Sequence, residues 1–226
     1  MKWFGYFLVV LQLLQTSCTG QAPLSGKLQL TSDDAWANMI YLIQPRSLDE
    51  VASNFTGQVI DSAQVRADGS FVFAKLPDAP DPILLELAVQ KKGERFVNRL
   101  ENENLATANY VPIVWKNGWR LQVKTAIATF QSSFNIENPT PENAALLELR
   151  DIRQKAFQQF IAKNNSDEHD ETKLLEAEAA RLNFQRALMD FAQATDELLP
   201  ALVAIRWVSP NNDYERIPEF LVAQCQ

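Results

Sequence analysis

The sequence predicts an α+β protein, with an N-terminal antiparallel β-sandwich-like domain followed by a C-terminal helical layer or small bundle. Three observations carry that reading. Residues 23–138 run in short stretches of alternating apolar and polar side chains, separated by turn dipeptides such as Asp68-Gly69 and Asn117-Gly118. Asn138-Pro139-Thr140-Pro141 then breaks the pattern, and residues 140–226 carry apolar side chains at helical spacing.

Taken in order, Leu24, Gly26, Leu28 and Leu30 alternate with polar residues as a first strand. Met39 to Ile43 and Gln58 to Val65 supply further strands. Asp68-Gly69 offers the positive φ of a tight hairpin, so Val65 and Phe71 are expected on adjacent antiparallel strands. Ile83 to Val89 is a further strand, followed by a turn at Lys92-Gly93. The clearest hairpin signal is Tyr110 to Thr125, centred on Asn117-Gly118. A two-residue loop there would set Trp115 opposite Arg120 and put Val114, Trp119, Leu121 and Val123 on a core face. Trp115 would then share the other face with Arg120, Gln122 and Lys124, either beneath a helix or partly exposed as a contact residue. It is the one candidate partner-binding position. Phe130, Phe134 and Ile136 continue the β region on one face.

Thr140 can cap a helix whose first residue is Pro141, the position where a missing N–H costs nothing. Leu149, Ile152, Ala156 and Phe160 form its stripe, widened by Phe157 and Ile161. A second helix is predicted over Glu171 to Ala194, with Ala177, Ala180, Phe184, Leu188 and Phe191 inward. Shorter helices follow over Asp196 to Trp207 and Asp213 to Gln224. Each apolar stripe needs a partner surface, and the simplest arrangement packs them beside the sandwich.

The first 18 residues read as a signal peptide. Lys2 precedes the apolar run Trp3 to Leu14, which is too short for a bilayer span of ~20 apolar residues. The run exits through Gln15-Thr16-Ser17-Cys18, and a small residue before a cysteine is the pattern of a lipidation signal. Cys18 is therefore the expected lipid-attachment site, with ordinary cleavage near Gly20 or an uncleaved anchor as the alternatives. The expected location is the cell envelope on its periplasmic side, anchored by lipid at Cys18; the alternative is a secreted soluble protein. Loss of Lys2 takes the formal charge from −7 to −8. An acidic chain without a Lys/Arg cluster has no electrostatic footprint for nucleic acid, and its membrane contact should come through the lipid.

Catalytic constellations are sparse. The single histidine, His169, lies in the acidic run Asp167 to Glu171, which reads as a solvated loop before a helix. No Cys-x-x-Cys, phosphate-binding glycine loop or His-Glu-x-x-His occurs, and the chain has seven glycines in all, so no cofactor and no metal site is expected. Asp33-Asp34 and Glu101 with Glu103 stand in polar stretches, poor settings for a general acid and base. With Cys18 lipidated, Cys225 has no disulfide partner.

The stretch Ile60 to Phe73, with its Asp61-Ser62 and Asp68-Gly69-Ser70-Phe71-Val72-Phe73 elements, resembles a β-domain of envelope lipoproteins from Bacteroidetes-type bacteria. Gly26 to Leu30, Ile40 to Ile43, Trp115 to Thr125 and the Pro-rich Asn138 to Pro141 extend the likeness over most of the chain. In the family it resembles, this region is the N-terminal accessory domain, of unknown function, of TlpA/ResA-like thiol-disulfide oxidoreductases, and stands in front of a thioredoxin module. No residue here matches that module's catalytic cysteines. The export signal, the packed-domain patterning and the missing chemistry together point to a non-catalytic lipoprotein that binds a protein or peptide, with a thioredoxin-like or other envelope protein among the partners. The resemblance implies, as the alternative, the front part of an oxidoreductase whose module is missing or separately encoded. A hydrolase or lyase using carboxylates on the sheet face is a third reading of the residues.

Overall fold

The computed structural model describes residues 22–32, 35–52, 57–94, 103–162 and 171–208. The signal segment with Cys18, Asp33-Asp34, Glu101, His169, Cys225 and the helix expected over Asp213 to Gln224 lie outside these residues. Eight strands come first: β1 (Leu24–Gln29), β2 (Trp36–Gln44), β3 (Gln58–Gln64), β4 (Ser70–Val72), β5 (Ile83–Lys91), β6 (Tyr110–Trp115), β7 (Leu121–Ala126) and β8 (Asn135–Glu137). Helices α1 (Pro141–Ala156), α2 (Glu171–Ala194) and α3 (Leu198–Val208) follow, and α1 runs on into a π-helical turn at Phe157–Ile161. The class is α+β, with the helices C-terminal to the strands.

The strands form two four-stranded sheets, ordered β4-β1-β7-β8 and β3-β2-β5-β6. All pairs are antiparallel except β1 with β7, which run parallel from Leu24 beside Leu121 to Gln29 beside Ala126. Alternation decides which side chains meet. Leu24, Leu28, Phe71, Leu121 and Val123 of the first sheet face Ile40, Leu42, Leu85, Leu87 and Ile113 of the second across one core. The opposite face of the second sheet, through Ile43, Ala88, Tyr110 and Val114, meets Leu146 and Leu149 of α1, Leu188 and Phe191 of α2, and Ala204 and Ile205 of α3. The result is three layers, sheet on sheet on helices.

Both tight turns form where the sequence places them, but neither makes a hairpin. Gly69 has φ 81° and its N–H donates to Arg66 O at 2.8 Å, closing the turn. The chain then changes sheets. Val65 N–H donates to Asn38 O on β2 while Phe73 N–H donates to Leu24 O on β1, so β3 and β4 are not adjacent. A Cβ at Gly69 would stand 2.0 Å from Leu28 O, and Leu28 N–H donates to Gly69 O; glycine there lets the turn press onto β1. The Asn117-Gly118 turn behaves alike. Trp119 N–H donates to Lys116 O, yet β6 pairs with β5 and β7 with β1 and β8. Asn117 anchors this corner by accepting from Ala79 N–H and donating to Asp78.

Crossing between sheets reverses the facing expected for Trp115. In a hairpin, residues on one face stay on one side of a single sheet; across a sandwich, they point toward each other from two. Trp115 is 3% exposed and shares the inter-sheet core with Leu121 and Val123, while Val114 faces the helices. Its indole N–H donates to Pro77 O at 3.2 Å. Trp115 is neither under a helix nor on the surface, so the exposure a partner-binding role requires is lacking.

At the helical boundary, Thr140 accepts from Asn143 N–H and Pro141 opens α1. Asn143 itself does more. Its side chain accepts from Val114 N–H and donates to Val114 O, and Gln131 donates to Tyr110 O, so two side-chain amides pair the outer edge of β6. Pro112 lies between those residues, at an edge position where no donor is needed.

Because β2, β5 and β6 bury one face against the helices, a fragment of residues 23–138 would expose Ile43, Ala88, Tyr110 and Val114 to water. Expressed alone it is expected to aggregate or to melt well below the whole chain. Cooperative melting at the same temperature would show the two parts to be independent.

Candidate functional site

Charged side chains concentrate where the sheet meets the helices. Glu86 is the one ionisable residue inside the apolar strand Ile83–Lys91, and alternation carries it to the helix-facing side between Leu84 and Ala88, with Ile43 and Pro112 on the adjacent strands. It is 0% exposed. Arg153 occupies an inward position of α1 beside Leu149 and Ala156, and Arg206 stands in the apolar run of α3. Glu103 enters from the segment before β6, and its side chain is as buried as that of Arg153.

Arg153 and Glu103 are joined to each other and to the aromatic pair Tyr110 and Trp207. Arg153 Nη2 donates to Glu103 Oε2 at 2.5 Å, and its guanidinium carbon sits 4.3 Å from the centre of the Trp207 ring. Trp207 Nε1 donates to the Tyr110 hydroxyl at 3.0 Å, and that hydroxyl donates onward to Glu103 Oε2 at 3.4 Å. Arg153 Nη1 reaches Gln131 Oε1 at 3.4 Å. Glu86 Oε1 accepts from Ala52 N–H. Glu86 Oε2, Glu103 Oε1 and Arg153 Nε are buried with no partner among the described residues.

Environment sets the protonation states. Burial pushes the Glu86 carboxyl up to about 8, against the Ala52 N–H bond and the Arg206 charge, which favour ionisation. Burial, with the Glu103 charge beside it, also raises the Tyr110 phenol, which stays protonated. For Arg153 burial is the largest single influence and works the other way, but the Glu103 carboxylate and the Tyr110 hydroxyl together outweigh it and hold the guanidinium above its ordinary value. The seam thus holds a neutral acid near an ion pair.

A neutral acid beside a carboxylate is the raw material of acid–base catalysis. Among the described residues the seam offers little room. The space under Gln131, Asn143 and Trp207 measures about 10 Å³, too small for a substrate. The larger depressions lie elsewhere. One of about 520 Å³ crosses the ends of β1 and β7 between Lys27, Asp68 and Lys124, and one of about 410 Å³ runs along α2 past Leu182, Met189 and Val208. Neither gathers a set of convergent catalytic groups. Among the described residues no three metal-ligating side chains cluster, and no helix is long and apolar enough to cross a membrane.

Exposed apolar side chains mark α2. Its C-terminal half is anchored by Leu188, Phe191 and Ala192, whereas Thr172 to Glu176 are all exposed. Leu174, Leu175 and Leu182 are 47%, 68% and 41% exposed, and Leu175 and Leu182 stand two turns apart on one face.

The sequence reading puts Glu103 in a polar stretch, and the structure buries it. Glu86, Arg153 and Arg206 were passed over, although each is the lone charge at an inward position of an apolar element. That is the signal that could have found them. No family model, curated protein or solved structure matches the chain.

Proposed function

We propose that this protein is a cell-envelope lipoprotein, anchored through Cys18, that binds another envelope protein and performs no chemistry of its own. The exposed leucines of α2 carry this reading: Leu174, Leu175 and Leu182 offer apolar area to solvent on a helix whose residues Thr172 to Glu176 are exposed. In the seam Glu103 is engaged by Arg153, Tyr110 by Trp207, and Glu86 by the Ala52 N–H. A thioredoxin-like envelope protein is the partner class that the sequence resemblance implies.

Mass spectrometry of the membrane fraction should find the mature N-terminus at Cys18 carrying acyl chains; a soluble form beginning at Gln21 would sink the anchor. For the partner, a photocrosslinker at Leu175 in intact envelopes should give one discrete adduct, lost when Leu182 is changed to Glu. An adduct unaffected by Leu182→Glu, or none, would count against α2 as the binding surface. Turnover of insulin disulfides by the purified protein would overturn the non-catalytic assignment.

A further inference from the structure

After β2 the chain makes a 3-10 turn at Leu48–Glu50 and reaches Val51 and Ala52, which are fully packed against the helix-facing side of the sheet. Ala52 has φ 58°, a left-handed conformation that residues with a Cβ seldom hold. Two side chains pin it. Glu86 Oε1, from the centre of the sheet, accepts the Ala52 N–H. Arg206 of α3 donates from Nε to Val51 O at 3.0 Å and from Nη2 to Asp49 O at 3.4 Å. Among the described residues the segment is thus held by one buried acid and one buried cation, and the second oxygen of that acid has no partner there.

We propose that Glu86 and Arg206 form a proton-controlled latch, holding the Leu48–Ala52 segment against the sheet while Glu86 is neutral and releasing it as Glu86 ionises. The surroundings of Glu86 support the direction. Arg206 faces it from α3 and favours the anion; Glu103, from the segment before β6, opposes it. Tyr110 of β6 is neutral, and Arg153 of α1 is engaged by Glu103. From the turn itself, Asp49 presents its carbonyl to Arg206 while Glu50 is turned outward onto Arg46. Burial outweighs the Ala52 N–H bond and the Arg206 charge and sets the carboxyl titration near 8 in the closed form. An open segment would let water reach the carboxyl, which would then titrate as an ordinary glutamate. Linkage fixes the sign. The closed form binds the proton more tightly, so opening is pH-independent below about 4.5, grows about tenfold per pH unit above that, and levels off above about 8. Release would uncover Ile43, Val51 and Ala88 as an apolar patch.

Hydrogen exchange of the peptide spanning residues 48–52, in the full-length protein and corrected for the intrinsic pH dependence of exchange, reads the opening directly. Protection should fall about tenfold per pH unit between about pH 5 and 8 in the wild type and stay flat in Glu86→Gln, whose neutral amide can still accept from Ala52. Carboxyl ¹³C titration of Glu86, assigned through bonds in the wild type, gives a readout that needs no variant, and its midpoint should coincide with the plateau. Protection independent of pH in the wild type, the same slope in Glu86→Gln, or a Glu86 midpoint near its ordinary value would each overturn the latch.

Discussion

Replacing Arg153 by Met is expected to cost ~3–5 kcal/mol of stability, because it strands the Glu103 carboxylate in an apolar seam without its cation. Burying a lone charge costs more than the pair itself contributes. The double variant Arg153→Met with Glu103→Gln should therefore recover a large part of the loss, since neither residue would then carry a charge out of water. Urea denaturation of the two single variants and the double completes the cycle. A loss below ~1 kcal/mol in Arg153→Met would mean that water reaches Glu103, contrary to its burial. A double variant no better than the single would assign the effect to the stacking of Arg153 on Trp207 and not to the ion pair.

Trp115→Ala is expected to lose a comparable ~3–5 kcal/mol, here by leaving a cavity between two sheets that cannot collapse toward each other. The indole also orients the loop at Pro77, so truncation removes a hydrogen bond along with the packing. Trp115→Phe should recover most of the packing and none of the hydrogen bond. Urea midpoints measure both. If Trp115→Ala melted within ~1 kcal/mol of the wild type, the residue would lie outside the core, and a contact role for it would regain its footing.

What the sequence showed well was local. Pro141, with Thr140 behind it, satisfies the geometry of a helix start by itself, and α2 occupies the predicted Glu171–Ala194 because one continuous stripe spans it. Asp68-Gly69 and Asn117-Gly118 likewise needed only their own φ angles to turn. Which strand lies beside the turn is a different question. It is decided by β1, far off in sequence, which takes β4 on one side and β7 on the other and so draws both strands away from their chain neighbours. No feature of residues 110–125 reports that, and the facing of Trp115 was lost with it. The buried charges were missed for a related reason. Arg153 and Glu103 are separated by the whole of β6 to β8, and their pairing follows from the helical layer closing over the sheet.

The two corners that switch sheets also bear on how the chain folds. A hairpin can form while the rest of the chain is still unfolded, because its strands reward each other at once. Here neither β3 with β4 nor β6 with β7 gains a ladder from its own turn, and β1 finds a partner only when the chain reaches Ser70 on one side and Leu121 on the other. Closing the first sheet around β1 therefore waits on distant pairings, the kind that form slowly. An incomplete chain can pair β2 with β3 early, but β1 stays without a partner until Ser70 and then Leu121 have emerged.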